Sequence, residues 1–287
     1  MYLRIIPKLD IKGPNLVKGI HFEGLRVLGK PERFARWYYE QGADELIYQD
    51  AVASLYGRNS LLDIVERTAK EIFIPLTVGG GLRSIEDIRQ VLRAGADKVS
   101  INTAAMERPE LIREAVQHFG SSTIVVSIEA IKRADGTYEA YTDYGRESTG
   151  VDALEWAQRA EELGAGELLV TSIGQEGTGK GYDLELTQQI AEAVSIPVIA
   201  LGGAGCKEHV LEVVEKGKAD AVSMASILHY DFINHTDASL DDFSGEGNTT
   251  FLSHGGGKPP ISEMSLHDLK AYLSGSGIAC RTQEAAV

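Results

Sequence analysis

Ile74-Pro75-Leu76-Thr77-Val78-Gly79-Gly80-Gly81 and Ile196-Pro197-Val198-Ile199-Ala200-Leu201-Gly202-Gly203-Ala204-Gly205 are two versions of one phrase, 122 residues apart. Each reads as a short apolar strand that runs into a glycine turn. A helical stretch and a second apolar segment follow, Ala96-Asp97-Lys98-Val99-Ser100-Ile101-Asn102 in the first copy and Ala219-Asp220-Ala221-Val222-Ser223-Met224-Ala225-Ser226 in the second. Gly42-Ala43-Asp44-Glu45-Leu46 and Gly164-Ala165-Gly166-Glu167-Leu168 keep the same offset. Solenoid repeats have periods of about 20–50 residues, so this longer period indicates a duplicated half-domain. A glycine-rich strand-to-helix turn points backbone N–H groups and a helix N-terminus at an anion. Two such turns predict two phosphates, held apart, on one substrate.

Strand and helix patterns alternate along the chain, which predicts βα units around a parallel sheet. Strand candidates lie near 3–9, 45–50, 74–78, 97–101, 123–128, 167–171, 197–201 and 219–224. Helical patterns cover 31–41, 61–72, 84–94, 109–119, 152–163, 184–194, 209–216 and 265–273. Eight such units in a two-fold repeat predict a single (β/α)8 barrel over 1–287 built from two half-barrels. An open doubly wound sheet leaves the half-and-half symmetry unexplained. Two connections exceed the usual length. One is a loop over 12–29 after the first strand. The other covers 230–264 after the eighth and holds a polar, glycine-rich insertion, 231–262. On this fold the insertion belongs on the catalytic face, as a lid or as a plain surface addition.

The net charge of −14 and a pI near 5.0 argue against a nucleic-acid or anionic-membrane surface, since no basic stripe is present. Cys206 and Cys280 form neither a disulfide framework nor a metal-ligand spacing. No leader or membrane-length apolar run is legible, and a cytoplasmic protein is expected.

In a barrel of this kind the chemistry sits at the carboxyl ends of the strands. Asp10, Asp50, the Gly79–Gly81 turn, Asn102, Glu129, Ser172, Glu176, Gly202, Gly203 and Ser226 all fall there. Asp10 and Glu129 occupy equivalent places in the two halves, a candidate acid–base pair across the mouth. Gly177-Thr178-Gly179-Lys180-Gly181 adds N–H donors and a cation. At the opposite end Arg4, Glu45, Lys98 and Glu167 all begin strands. Alternation puts Arg4 on the same side of its strand as Asp10, so an inward Asp10 implies an inward Arg4. Two cations and two anions in a layer normally filled by Val, Ile and Leu read as a salt-bridged plug or as a polar gate through the floor.

With these residues in place, the chain resembles the cyclase-subunit family of imidazole glycerol phosphate synthase, of histidine biosynthesis. Leu16-Val17-Lys18-Gly19, Thr77-Val78-Gly79-Gly80-Gly81, Gly95-Ala96-Asp97-Lys98-Val99-Ser100-Ile101-Asn102, Gly181-Tyr182-Asp183 and Ile199-Ala200-Leu201-Gly202-Gly203-Ala204-Gly205 carry the likeness. It spans most of the chain apart from the 231–262 insertion. The resemblance implies an enzyme with no cofactor or metal. A partner glutaminase docks on the N-terminal face and releases ammonia through the gate Arg4, Glu45, Lys98 and Glu167. The ammonia meets a bis-phosphorylated ribulosyl aminoimidazole carboxamide. It implies Asp10 as general acid and Glu129 as general base. Asn102 and Thr103 hold one phosphate with Gly80 and Gly81; Gly177, Gly203, Ala225 and Ser226 hold the other. Lys18 lies on a mobile loop over the site, and Asp50, Thr171, Glu176 and Gly202 complete the substrate-binding set.

Three positions depart from the family pattern. Glu129 and Glu176 stand where the family has aspartate, and Lys8 replaces a small cysteine. Each glutamate lengthens its carboxylate arm by a methylene, and a shift of about 1 Å can slow a positioned reaction by about 100-fold. Lys8 points inward with Asp10; it can pair with Asp10 or Glu129 and hold them ionised, or obstruct the ammonia path. Three readings stand: the histidine-pathway cyclase subunit; a divergent paralogue that spends channelled ammonia on a nucleotide-sugar or other phosphorylated substrate of surface polysaccharides; and a non-catalytic barrel that docks a glutaminase.

Overall fold

A computed structural model describes residues 2–53, 61–236 and 261–282. Eight parallel strands close into a barrel: β1 (Arg4–Lys12), β4 (Leu46–Asp50), β5 (Leu76–Gly79), β6 (Lys98–Ile101), β7 (Ile124–Lys132), β10 (Glu167–Ser172), β11 (Val198–Leu201) and β12 (Ala221–Met224). Each pairs with the next in that order, and β12 returns to β1, with Arg4 opposite Ala221. The expected (β/α)8 barrel is therefore present.

Helices cover the outside: α1 (Pro31–Glu40), α2 (Leu62–Thr68), α3 (Ile85–Arg93), the short α4 (Thr103–Glu107), α5 (Glu110–Phe119), α6 (Ala153–Glu162), α7 (Leu184–Ala193), α8 (Lys207–Glu215), α9 (Ser226–His235) and α10 (Leu266–Gly275). Their starts follow local chemistry. Ser84 accepts from the Asp87 N–H at 3.2 Å, Asp152 from Leu154 and Glu155, and Ser265 from Asp268 at 3.1 Å. Each cap satisfies donors that the first helical turn leaves unpaired.

The aspartates of the repeated Ala-Asp pairs lock strand register. Asp44 accepts from Ile5 N–H, Asp97 from Leu76 N–H and Asp220 from Val198 N–H, each at 2.9 Å. In the fourth copy Gly166 stands instead, because a Cβ there would collide with the Ser121 carbonyl.

Alternation along the staves divides the core. Ile5, Leu9 and Ile11 of β1 face the helices, whereas Ile6 joins Ile47, Val125, Leu169, Ile199, Leu201 and Ala221 in a separate apolar cluster inside the barrel. That sleeve lies between the polar floor and the polar mouth.

The 12–29 segment, expected as a loop, is a hairpin. β2 (Asn15–Ile20) extends from β1 and pairs with β3 (Glu23–Gly29). A second hairpin, β8 (Tyr138–Thr142) and β9 (Glu147–Asp152), extends β7. Both turn on non-glycine residues at positive φ, His21 (50°) with Phe22 (64°) and Asp143 (50°) with Tyr144 (59°). This handedness suits the twist of paired strands, and the two tips again lie 122 residues apart. Residues 231–235 complete α9, and 237–260, most of the expected 231–262 insertion, lie outside the described residues.

Candidate active site

Two glycine turns rim the mouth. After β5, Gly80 (φ 98°) and Gly81 (φ 71°) adopt left-handed backbone, as do Gly202 (φ 98°) and Gly203 (φ 105°) after β11. A Cβ on Gly80 would approach the Asp50 carbonyl oxygen to 2.6 Å, and one on Gly203 would collide with the Gly181 carbonyl. Glycine is required at both for conformation and for space.

The first turn opens onto a cavity of about 250 Å³, whose wall includes Asp50, Gly80, Gly81, Asn102, Thr103 and Glu129. The second borders a tighter cleft of about 10 Å³ walled by Lys18, Glu176, Gly177, Gly202, Gly203, Ala225 and Ser226. Thr171 is buried next to Glu129 in the β7–β10 register. The expected substrate-binding residues thus gather at one end of the barrel in two groups.

Each hairpin reaches over one group. His21 N–H donates to the Glu176 carbonyl at 2.9 Å and Lys18 pairs with the Glu176 carboxylate, so the first hairpin lies on the second turn. Asp143 N–H donates to Thr103 Oγ1 at 3.1 Å, so the second hairpin lies on the first turn. Their tips meet, with the Phe22 and Tyr144 rings 4.2 Å apart between centroids. The sequence offered one clue to this lid, the alternation in Tyr138-Glu139-Ala140-Tyr141-Thr142. The turns themselves lack an Asn-Gly signature.

Under the aromatic tips lie the buried ionisable groups. Lys8 pairs with Asp10, and its ammonium is 5.8 Å from the centroids of both Phe22 and Tyr144. Burial opposes the Asp10 charge, but Lys8 and Lys18, with hydrogen bonds from Lys8 and Tyr144, overcome it and hold the carboxyl below its ordinary range. Glu129 is the reverse case. Burial pushes it up to about 7, and Lys8, the Gly145 N–H and Asn102 offset only part of that. Asn102 Nδ2 donates to Glu129 at 3.2 Å and to the Tyr141 carbonyl at 3.1 Å. Glu129 therefore keeps its proton to higher pH than Asp10.

At the floor, Arg4 bridges Glu45 (2.8 Å) and Glu167 (2.6 Å), and Lys98 bridges the same two carboxylates (3.0 and 2.8 Å). The four groups form a closed ring of alternating sign. Tyr2 (66% exposed) and Phe73 (78% exposed) precede β1 and β5 on this same face, and Phe73 contacts the Tyr39 ring at 6.0 Å. Among the described residues, no helix is long and apolar enough to cross a membrane.

The profile of the histidine biosynthesis protein family matches residues 4–234. The chain belongs to that family. A relative, the imidazole glycerol phosphate synthase subunit HisF of Legionella pneumophila, is 60% identical over 203 residues, which is 71% of this chain and 96% of the relative. The family match ends within α9, just before the undescribed 237–260 segment.

Proposed function

We propose that this protein is the cyclase subunit of an imidazole glycerol phosphate synthase. A glutaminase bound at the floor face releases ammonia, which passes the Arg4–Glu45–Lys98–Glu167 ring and reaches a bis-phosphorylated ribulosyl aminoimidazole carboxamide at the mouth. The products are imidazole glycerol phosphate and aminoimidazole carboxamide ribotide, with one water released. The observation that carries this reading is the axial arrangement: two symmetry-related anion cradles at one end, an ionic ring at the other, and an apolar sleeve between them.

Each part suits its task. Exposed N–H groups in left-handed glycine turns bind phosphate oxygens without needing a cation, which suits an acidic protein. Ammonia is neutral and can cross the sleeve of Ile6, Ile47, Val125 and Leu169, whereas ammonium would pay the desolvation penalty of an unpaired ion. The exposed Tyr2 and Phe73 offer aromatic anchors for a partner beside the ring. The name borne by the Legionella relative supports the same reaction.

A second reading, a paralogue that spends ammonia on another phosphorylated substrate, is favoured by the buried Lys8–Asp10 pair on the barrel axis. Purified protein with ammonium salt and the ribulosyl substrate decides between them. Release of both products supports the cyclase. Absence of turnover together with stimulation of an added glutaminase leaves the second reading and the non-catalytic docking barrel. Asp10→Asn should lose product formation while glutaminase stimulation persists.

A further inference from the structure

We propose that Glu176 is a specificity-determining residue: its carboxylate stands at the second glycine turn in the place of a phosphate, with Lys18 as counter-ion, and a phosphate enters that turn only by displacing it. This rests on the reading of the two glycine turns as anion cradles, and it makes the two cradles unequal.

Room is the first difference between them. The cavity at the first turn, about 250 Å³, accepts a phosphate group as it stands. The cleft at the second turn, about 10 Å³, holds about one water. The chain's own ion pair takes up the rest. Glu176 and Lys18 both line the cleft, both side chains are 5% exposed, and their charged atoms pair directly. A Cβ built on Gly202 would lie 3.5 Å from Glu176 Oε2, so the carboxylate rests against the left-handed backbone of the turn itself.

Charge is the second difference. Among the described residues Lys18 is the one cationic side chain on the cleft wall. It faces Glu176, Asp10 and Tyr230. An incoming phosphate and the Glu176 carboxylate compete for this one cation, and at contact distance they repel each other strongly. Lys18 itself is well anchored. Its hairpin is fixed to the turn after β10 by the His21 N–H on the Glu176 carbonyl at 2.9 Å and by His21 Nδ1, 2.8 Å from the Ile173 carbonyl oxygen. The backbones also touch, since a Cβ on Gly177 would approach the Gly19 carbonyl oxygen to 2.5 Å. In the exchange Lys18 therefore keeps its place and changes partner, while the Glu176 arm turns away.

Selection follows from this inequality. A phosphate enters the first turn directly. A singly phosphorylated ligand occupies that turn alone. A ligand anchored there by one phosphate presents its second at high effective concentration, and only then is Glu176 displaced. The residue thus favours substrates that carry two phosphates spaced to span the mouth.

Amide NMR titration of the full chain with inorganic phosphate reads the two turns separately, through the Gly80 and Gly81 signals and the Gly202 and Gly203 signals. In wild type the first turn should saturate at phosphate concentrations at least about tenfold below the second. Glu176→Gln removes the competing charge and should lower the second-turn midpoint at least about tenfold, with the first turn as internal reference. Glu176→Asp, whose shorter arm withdraws the carboxylate from Gly202, should shift it in the same direction by less. Wild-type turns that titrate together, or a second-turn midpoint unmoved or raised in Glu176→Gln, overturn the proposal; the wild-type comparison and Glu176→Asp decide it where Glu176→Gln does not fold. Phosphate seen at the first turn but at the second in no variant overturns the role of Glu176 alone. Phosphate at neither turn in any of the three proteins defeats the reading of the turns as cradles, and the proposal with it.

Discussion

Glu129→Gln should stabilise this protein at alkaline pH and leave its stability at pH 4 unchanged. In the native state burial lifts the Glu129 carboxyl to about 7 from an ordinary 4.5. Between those two values the folded protein holds a proton that the unfolded chain has released. Stability must therefore fall as pH rises through this window. The gap, at about 1.4 kcal/mol per pH unit, is worth roughly 3 kcal/mol once pH exceeds 7. Glutamine mimics the protonated acid in shape and in carrying one acceptor and one donor, so the Asn102 Nδ2 donor, 3.2 Å away in wild type, keeps its acceptor. For a domain of this size about 3 kcal/mol corresponds to roughly 5 °C in Tm. Thermal unfolding of wild type and variant from pH 4 to 9, followed by circular dichroism, should show curves that coincide at pH 4 and separate steadily above pH 5. Equal separation at every pH, or a variant less stable at pH 9, would overturn the assignment of an incompletely compensated buried charge to Glu129. The same variant should lose ammonia-dependent turnover by about 100-fold or more, the ordinary weight of a positioned acid–base group.

Other consequences are equally direct. Asp10 is held below its ordinary 3.8 by Lys8 and Lys18, so it contributes stability that is present above pH 4 and lost on acidification; acid unfolding of Lys8→Met should begin at higher pH than that of wild type. Glu167→Gln opens the floor ring by weakening two ion pairs, at 2.6 and 2.8 Å. Glutamine-dependent turnover with the partner should fall at least about tenfold while turnover with ammonium salt stays near wild type, a contrast read from paired assays. Gly203→Ala should weaken binding of inorganic phosphate and substrate by at least about tenfold, measured calorimetrically, since its Cβ would collide with the Gly181 carbonyl in left-handed backbone. Lys270 is buried and holds the Gly42 carbonyl (2.7 Å), Asp44 (2.9 Å) and the Arg281 carbonyl (2.9 Å). Lys270→Met should destabilise by about 2–4 kcal/mol in urea unfolding, because buried acceptors lose their donor.

Much of the architecture was legible before any coordinates. The paired glycine phrases located two turns, and a period near 120 residues implied half-barrels. Alternation along Arg4-Ile5-Ile6-Pro7-Lys8-Leu9-Asp10 placed Arg4, Lys8 and Asp10 on one face. The hairpins are not legible in the sequence, because His21-Phe22 and Asp143-Tyr144 take positive φ without glycine or asparagine at both central positions. Their strands are also interrupted by register shifts, which blur the two-residue pattern.

Spacing and two-residue periodicity are local, and they suffice for the duplication, the barrel, the positions of both glycine turns and the inward direction of Lys8, Asp10 and Glu129. Barrel closure sets which carboxyl Lys8 neutralises, which one faces the cavity, and which keeps its proton near neutrality. Those outcomes depend on burial and on through-space Coulomb interactions. Both are set by groups as distant in the chain as Lys18, Asn102, Tyr144 and Glu176, brought within a few ångströms of Asp10 and Glu129 by barrel closure.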